Sequence, residues 1–492
     1  MASTTAAATS NTNRAANKLI LGIVLAVITF WLFAQTTLNV APAMREELRI
    51  SESLNNIAVS ITALFSGIFI VVAGDLADRL GRLKLTYCGI GLSVVGSLLI
   101  ALSPAGTIAF LMTGRIIQGL SAACIMPATL ALIKDYFDGK ERQRAVSYWS
   151  IGSWGGSGVS ALFGGLVASS LGWRWIFWMS IVVAAVSFLL LRGAPESKGV
   201  STQRARFDWY GFIAFIIAMV AVNIVIGQGT ALGWLNPLVI ALAVIFVLAA
   251  VMFFRVESGN PNGFVDLRLF NNKTYAGATL SNFLLNGAAG TLLVALSLVQ
   301  QAAGLSSLQS GLLTIGYLVA ILSTIRVGEK LLQRMGPRKP MLIGCAITAT
   351  GILLTIFTFL LARQYMIVAF VGFTLFGVGL GFYATPSTDA ALSNVPNDKA
   401  GAASGIYKMA SSLGAAFGVA ISAAIFTSLG GLNSAFAPLS DLFLGRIDNV
   451  GIRFAAAIAL LFNIIMVIIA IIAIAMTVPK DDPRAHASTG RV

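Results

Sequence analysis

Apolar runs of about twenty residues recur along the whole chain and are separated by short polar segments. Each run is close to the ~20 residues that a helix needs to cross the hydrocarbon core of a bilayer. Counting them gives fourteen predicted spans, with cores near Leu19–Val40, Leu54–Ala73, Thr86–Ser103, Thr107–Ile133, Ala145–Ala168, Trp175–Leu191, Trp209–Gly227, Pro237–Phe254, Ala276–Val299, Leu308–Val327, Met341–Leu361, Met366–Thr388, Ala402–Ser428 and Phe454–Thr477. The pattern predicts an all-α membrane protein, because a helix satisfies its backbone hydrogen bonds internally in lipid.

Composition agrees with this prediction. Of the 492 residues 57% are hydrophobic and only 11% are charged, whereas soluble domains carry roughly 25% charged residues. The net charge of +14 would suggest nucleic acid in a soluble protein, but here the basic residues follow the predicted loops. With both termini in the cytoplasm, the inner segments carry 24 Lys and Arg and the outer segments six. This bias predicts a multi-pass plasma-membrane protein with both ends inside and no nucleic-acid partner.

Several chemistries have no support in the sequence. The single histidine, His486, lies in the C-terminal tail, and no phosphate-binding G-x-x-x-x-G-K-[ST] loop occurs. The three cysteines, Cys88, Cys124 and Cys345, fall inside apolar runs and are expected to be small core residues. We therefore expect no enzyme activity, no cofactor and no metal site.

A densely charged stretch from Gly74 to Lys84 joins spans 2 and 3. It places five ionised side chains beside hydrocarbon, namely Asp75, Asp78, Arg79, Arg82 and Lys84. Such charges are costly there unless they pair with each other or with a helix end. Asp75 and Asp78 lie one helical turn apart and could face an arginine or the N-terminus of a neighbouring helix. The alternative is a solvated loop, which explains the basic residues but neither the aspartates nor the glycines.

The order G-x-L-A-D-R-x-G-R-x-K in this stretch resembles the signature loop of the major facilitator superfamily. The resemblance implies that the loop latches the two halves of a transporter on the cytoplasmic side, with Asp78 as the latch acid and Arg79 and Arg82 stabilising the closed gate. A fainter echo between Gly328 and Lys339 favours two homologous halves, with a substrate site near the bilayer midplane.

The fourteen-span layout resembles the QacA-type drug:proton antiporter branch. Supporting strings are G-W-R-W-I-F from Gly172, D-W-Y-G from Asp208 and the glycine-rich stretch from Gly401 to Gly418. The resemblance implies a major facilitator fold of two six-helix bundles plus a two-helix insert. The expected parts are a disordered cytoplasmic N-terminus (1–17), an N-terminal bundle (18–192), a linker with the insert (193–274), a C-terminal bundle (275–478) and a cytoplasmic tail (479–492).

Arg115 lies well inside span 4, in the string L-M-T-G-R-I-I-Q-G. A guanidinium buried in lipid costs several kcal/mol unless it has partners, so Arg115 is a candidate functional residue. The string resembles the superfamily motif in which this arginine is linked to proton coupling. The alternative is that Arg115 binds carbonyl groups of span 1 and serves packing alone.

Span 5 is rich in glycine and serine, and Gly156, Gly164 and Gly165 match the antiporter signature G-x-x-x-G-P-x-x-G-G. Ser160 and Ala161 replace its Gly-Pro pair. Small residues at this spacing allow two helices to approach closely. The stretch is either a hinge or a plain packing surface.

The residue that would carry a proton is not obvious from the sequence. The QacA branch usually has an acid in span 1 before T-x-x-N-x-A, whereas this chain reads A-Q-T-T-L-N-V-A from Ala34. Asp389, at the inner end of span 12, is the acid nearest to the interior of a span, and Lys408 enters span 13 from the same face. These two residues form a candidate coupling pair, with Asp78 and Arg115 as alternatives. An ordinary structural ion pair is the competing interpretation.

Polar and aromatic residues within the spans are candidates for a substrate cavity. They are Gln35, Thr36, Asn39, Asn282, Asn286, Gln300, Tyr383 and Tyr407. Amides in spans can equally join helices to each other. Aromatic rings such as those of Trp31 and Trp149 could bind an organic cation or serve packing.

The sequence thus predicts a secondary transporter, a monomer in the bilayer. The resemblance implies that it exports small amphipathic, drug-like compounds in exchange for protons by alternating access. The alternatives are a carrier for neutral or anionic solutes, since the spans lack acids, and a membrane sensor that has lost transport.

Overall fold

A computed structural model describes residues 16–199, 208–260, 265–305, 307–430 and 449–480. Within these ranges the ordered elements are helices, and no β-strand is present. The prediction of an all-α membrane protein is therefore confirmed for the part of the chain that the structure describes.

The first eight helices follow the first eight apolar runs. They are α1 (residues 16–48, with a π-helical turn Thr29–Ala34 before Gln35–Leu48), α2 (Glu52–Leu80), α3 (Arg82–Ala101), α4 (Ala109–Tyr136), α5 (Gly139–Ser150, a π-helical turn Ile151–Gly155, then Gly156–Ser170), α6 (Arg174–Leu191), α7 (Trp209–Leu232) and α8 (Pro237–Gly259).

The remaining apolar runs form eight further helices, because two of the runs are each broken once. They are α9 (Lys273–Gly287), α10 (Gly290–Ala303), α11 (Ser307–Leu312), α12 (Ile315–Met335), α13 (Arg338–Thr355), α14 (Ala362–Ser393), α15 (Ala400–Gly430) and α16 (Val450–Thr477). Short 3₁₀ turns, Leu267–Asn271 and Asn397–Lys399, precede α9 and α15.

Eleven helical stretches of the described chain are long and apolar enough to cross a membrane. Each of them overlaps a predicted span. The other three predicted spans coincide with helices α5, α7 and α13, of which α7 contains the shorter apolar stretch Trp209–Val225. The count of fourteen spans thus remains a prediction.

The charged stretch between spans 2 and 3 is more helical than the sequence indicated. We expected a turn from Gly74 to Lys84, but α2 continues to Leu80 and α3 begins at Arg82. The chain turns at Gly81 alone, whose φ of 126° is a conformation that side chains with a Cβ rarely adopt. The expected turn is wrong in extent, because charged pairs at i, i+4 spacing support the helix up to this glycine.

Contacts divide the described chain into two compact units. The first comprises the described residues of 1–220, 252–266 and 395–408, and the second those of 221–251, 267–394 and 409–492. The first unit therefore contains α1 to α6, the first half of α7, the end of α8 and the beginning of α15. This division matters for the site described below, because residues 395–408 pack among helices that precede them by some 300 residues.

Within the first unit, α1 and α5 approach each other closely along their glycine-bearing sides. A Cβ atom on Gly156 would lie 3.2 Å from Cβ of Trp31, and one on Gly164 would overlap a methyl group of Thr36. The two π-helical turns lie in these same two helices and contact each other. Such turns widen a helix locally and re-aim the side chains beside them.

Cysteine positions differ in part from expectation. Cys345 is buried and Cys124 is half-buried, but Cys88 is exposed on α3. The expectation that all three are core residues is wrong for Cys88. An apolar run does not reveal which of its faces points away from the bundle, since lipid-facing and core-facing positions are both apolar in a membrane helix.

Candidate functional site

The two aspartates of the charged stretch have different environments. Asp75 pairs with Arg79 one turn further along α2, with Arg79 Nε 2.8 Å from Asp75 Oδ2, and both side chains are partly exposed. Asp78 is buried, with 5% of its surface exposed. The prediction that the aspartates face an arginine or a helix N-terminus is confirmed, and Asp78 does both.

Asp78 caps the N-terminus of α15. Its Oδ1 and Oδ2 accept the backbone N–H of Gly401 at 3.0 and 2.9 Å, and Oδ2 also accepts that of Ala402 at 3.1 Å. The first N–H groups of a helix have no partner within the helix, and the helix dipole places partial positive charge there. A buried carboxylate at this position therefore satisfies two backbone donors and balances the charge of the helix end.

Arg82 is the centre of the same network and is fully buried. Its Nε and Nη2 donate to Asp78 Oδ1 at 2.9 and 2.8 Å, and its Nη1 lies 2.9 Å from Asp135 Oδ2. Further donations reach Ser197 Oγ and the backbone carbonyl of Asn397. One guanidinium thus joins the α2–α3 junction to the end of α4, to the segment after α6 and to the turn before α15.

The segment after α6 also binds the α2–α3 junction. Glu196 accepts the backbone N–H of Leu83 at 2.9 Å and that of Lys84 at 3.1 Å, so its carboxylate caps the N-terminus of α3. The N–H of Gly199 donates to the Asp78 carbonyl at 2.9 Å. Sequence analysis missed these residues, because nothing in the linker distinguishes an acid that caps a helix more than 100 residues away.

Backbone approaches backbone where α2 meets α15. A Cβ atom on Gly401 would overlap the carbonyl oxygen of Gly74, and one on Gly74 would overlap the carbonyl oxygen of Gly401. One turn along, a Cβ on Gly405 would lie 2.7 Å from the Ile70 carbonyl oxygen. Only glycine permits this approach, which explains why the charged stretch begins with a glycine and why α15 opens with others.

Arg115 is buried in α4 and is bound entirely by neutral groups. Its guanidinium donates to acceptors on α1, α2 and α4, namely the carbonyls of Ala58 (2.9 Å), Val59 (3.2 Å) and Ala34 (2.9 Å), Thr37 Oγ1 (3.0 Å) and Gln118 Oε1 (2.8 Å). The alternative that Arg115 binds carbonyl groups of span 1 is confirmed for Ala34, the last residue of a π-helical turn. These bonds fasten three helices around one buried charge.

Lys408 is buried in α15 against two indole rings. Its Nζ lies 4.7 Å from the centre of the Trp149 ring and 5.7 Å from that of Trp31. Each indole is anchored to α4: Trp149 Nε1 donates to Thr129 Oγ1 at 3.0 Å, and Trp31 Nε1 donates to Met126 Sδ at 3.2 Å. We refer to Lys408, Trp31 and Trp149 as the lysine–indole cluster.

A comparison of the sequence with protein families identifies this arrangement. The sequence profile described as Major Facilitator Superfamily matches residues 19–419 and, in a second match, residues 278–491. The chain belongs to the major facilitator superfamily. The resemblance read from the charged stretch and from Arg115 is therefore confirmed at this level, and the chain is a transporter and not an enzyme.

Curated relatives within the superfamily are similar along almost their whole length. The quinolone resistance protein NorB of Staphylococcus aureus strain MRSA252 is 50% identical over 466 residues, which cover 95% of this chain and 96% of that protein. NorB of strain COL matches to the same extent. Both relatives are named for quinolone resistance, and both are matched over nearly their whole length.

Solved structures of more distant superfamily members share the fold. The proton:xylose symporter XylE bound to 6-bromo-6-deoxy-D-glucose has a TM-score of 0.66 at 18% identity, covering 95% of this chain and 97% of its own. The human organic anion transporter MFSD10 (TETRAN) has a TM-score of 0.57 at 15% identity, covering 92% and 99%. At these identities the likeness concerns the fold alone.

The superfamily fold distributes the predicted cavity residues over both units. In the first unit, Gln35 is half-buried on α1, and the neighbouring Thr36 Oγ1 donates to the carbonyls of Leu32 and of Ser160 on α5. Tyr407, which precedes Lys408 in the sequence, is buried. The side chain of Asn39 lies outside what the structure describes.

In the second unit, the predicted amides and Tyr383 bond to neighbouring side chains. Asn286 Nδ2 donates to the carbonyl of Asn282 at 2.7 Å and to its Oδ1 at 2.9 Å, so the two amides share a face of α9 as expected. Tyr383 Oη lies 2.7 Å from Ser281 Oγ on α9 and accepts from Ser387 at 2.9 Å. Gln300 Nε2 donates to Ser310 Oγ at 2.6 Å. The Tyr383–Ser281 and Gln300–Ser310 bonds join helices, which is the packing role that the sequence left open, whereas the Asn286–Asn282 bonds lie within α9.

Asp389 and the glycines of span 5 complete the predicted set. Asp389 is 2% exposed on α14, and its Oδ1 accepts from Ser393 Oγ at 3.2 Å. Gly156 and Gly164 lie at the close approach of α5 to α1 described above, whereas Gly165 is exposed, with open space where a Cβ would be. The predicted packing surface thus contains the first two glycines but not the third.

Proposed function

We propose that the chain exports small amphipathic compounds, quinolones among them, from a bacterial cell across its plasma membrane. The observation that carries the proposal is the 50% identity with the quinolone resistance protein NorB along 95% of the chain. A likeness over 466 of the 492 residues covers almost all of the helical chain.

Transport would proceed by alternating access, with the network around Asp78 as a cytoplasmic latch. Asp78 and Arg82 bind residues 397–402, which lie more than 300 residues further along the chain. Each bond is local and polar, so the set can break and re-form without loss of an apolar core. We propose that the latch is intact while the pathway is closed to the cytoplasm and opens once in each cycle. Arg79 would support it through its pair with Asp75.

Export would be coupled to proton entry. We propose Asp389 as the carrier, because it is a buried acid within a helix and its Oδ1 bonds to a neutral hydroxyl group. Lys408 is its candidate partner in coupling, Asp78 and Arg115 are the alternative coupling residues, and the same transport assay separates them.

The arrangement in the membrane follows from the charge bias. We propose a QacA-type monomer of fourteen spans with both termini in the cytoplasm, divided into an N-terminal bundle (18–192), a linker with a two-helix insert (193–274) and a C-terminal bundle (275–478). The excess of Lys and Arg on the proposed inner segments supports this orientation.

The test is transport by the purified full-length chain in proteoliposomes under an imposed pH gradient. We expect a fluorescent quinolone to move against the direction of proton flow, and Asp389→Asn to abolish the gradient-driven part. Asp138→Asn, an exposed acid in the turn before α5, is the matched control and should transport normally. A quinolone transport rate that does not depend on the pH gradient would overturn proton coupling. Unchanged transport by Asp389→Asn would exclude Asp389 as the proton carrier.

A further inference from the structure

Buried cations of the first unit differ in what surrounds them. The guanidinium of Arg82 meets two carboxylates, that of Arg115 meets five neutral oxygen acceptors, and Nζ of Lys134 donates to the Val395 carbonyl. Lys408 is 5% exposed, and among the residues that the structure describes it has neither a carboxylate nor a hydrogen-bond acceptor. Its Nζ lies against the two ring faces of the lysine–indole cluster.

Ring faces satisfy the charge of Lys408 only in part. A cation–π contact contributes about 0.5–2 kcal/mol, whereas taking an ammonium group out of water costs several kcal/mol. An ammonium group also has three N–H donors, for which an indole face is a weak acceptor. Hydrogen-bonding capacity therefore remains at Nζ for a group that is not part of the chain.

The two indoles form a fixed wall beside these donors. The hydrogen bonds from Trp149 to Thr129 and from Trp31 to Met126 tie both rings to one helix, α4, at positions three residues apart. Trp31 lies within one π-helical turn, and Trp149 lies two residues before the start of the other. A wall that is ordered before a ligand arrives loses little entropy on binding, and its rings favour contact with another flat aromatic group.

The charges on the surrounding helices indicate the sign of the charge that a ligand would carry. The acids described in α1 to α6 lie at helix ends or in connecting segments, so none of them competes for Lys408. A carboxylate would meet N⁺–H donors in a medium of low dielectric, where a charge-assisted hydrogen bond is strong. A permanent organic cation would meet the repulsion of Lys408 at the same place.

We propose that the lysine–indole cluster binds the carboxylate of a planar aromatic substrate. Lys408 donates to the carboxylate oxygens, and the rings of Trp31 and Trp149 contact the aromatic part. The inference rests on the proposed export function and names its substrate class, which is aromatic acids and zwitterions in preference to organic cations.

The test measures equilibrium binding to the purified full-length protein, so that its outcome does not depend on coupling or turnover. The probes are a quinolone carboxylic acid and its methyl ester, which differ only in the anionic group. We expect the wild-type protein to bind the acid at least tenfold more tightly than the ester. Equal affinities for the two would overturn the proposal without any variant being made.

Variants then assign the preference to Lys408. Lys408→Met keeps an unbranched side chain of nearly the same length without its charge. We expect it to weaken binding of the acid by tenfold or more while the Kd of the ester changes less than twofold. Lys140→Met, at an exposed position of α5, is the matched control and should keep the wild-type ratio. An unchanged ratio in Lys408→Met, or an equal loss for both probes, would overturn the assignment. If the acid preference holds while proteoliposomes fail to export, the proposed function is wrong and the binding site is not.

Discussion

Both carboxylate oxygens of Asp78 accept the backbone N–H of Gly401, at 3.0 and 2.9 Å, across 323 residues of sequence. The contact combines a charged helix cap with a glycine approach, since a Cβ on Gly401 would lie 2.8 Å from Asp78 Oδ1. Asp75, one turn earlier on the same helix, makes a partly exposed pair with Arg79 instead. Two acids of one helix thus differ in burial and partners, and they form a natural matched pair for substitution.

Asp78→Asn should impair the protein far more than Asp75→Asn. The asparagine loses the charge at the α15 N-terminus, and its amide donors would face the N–H groups that the carboxylate now accepts. Loss of such a cap costs about 0.5–2 kcal/mol, and the unbalanced Arg82 adds to this. We expect a lower unfolding temperature in detergent and a several-fold lower rate of transport in proteoliposomes. Equal effects at the two positions would contradict the role of Asp78 as the latch.

Arg82→Lys should be damaging and Arg79→Lys close to neutral. Lysine cannot reproduce the several fixed directions in which Arg82 donates to Asp78, Asp135 and Ser197. Arg79 makes a partly exposed pair, for which ~0.2–1 kcal/mol is typical. The measurement is again unfolding temperature together with transport rate. A variant at Arg82 that melts and transports like the wild type would show that its network is dispensable.

Helix positions were predictable from the sequence, whereas most partners of the site were not. Apolar length alone placed the spans, because the bilayer imposes one length on each of them. The prediction for Asp78 succeeded because a buried acid has few permitted partners. Glu196, Ser197 and Asn397 were missed, since contacts between distant segments leave no periodic signal. The tryptophans beside Lys408 were candidates as aromatic residues, but nothing in the sequence indicated that both rings contact one lysine.

Arg115→Lys should retain the charge and lose the junction of three helices. The guanidinium reaches acceptors on α1, α2 and α4. The ammonium group of lysine is a single compact centre with three donors, so it cannot reach the acceptors on all three helices at once. Breaking a buried charged network typically costs ~3–5 kcal/mol. We expect a lower unfolding temperature and a loss of proton-driven quinolone export. Gln118→Ala removes a single acceptor and should show a milder form of the same defect. If Arg115→Lys abolishes coupling but keeps the wild-type unfolding temperature, the coupling role applies and the packing role does not.

Gly164 and Gly165 are adjacent on α5, and alanine at the two positions should have opposite effects on stability. A Cβ on Gly164 would overlap a methyl group of Thr36, whose hydroxyl bonds to the Ser160 carbonyl at 3.1 Å and so holds that side chain in place. Overpacking of this kind costs about 1–3 kcal/mol. A Cβ on Gly165 would meet nothing within 4 Å, and alanine is favoured over glycine in a helix by ~1 kcal/mol.

The same pair of variants decides between a packing surface and a hinge. If the glycines serve close packing, Gly164→Ala lowers both the unfolding temperature and the transport rate. Gly165→Ala then raises the unfolding temperature and leaves the transport rate unchanged. If α5 bends here during transport, Gly165→Ala slows transport even though it stabilises the helix. Thermal unfolding in detergent and quinolone uptake into proteoliposomes, measured on the same preparations, separate these outcomes. The packing interpretation predicts that stability and transport both fall in Gly164→Ala and that neither falls in Gly165→Ala. The reason is that an added Cβ would contact another helix only at Gly164.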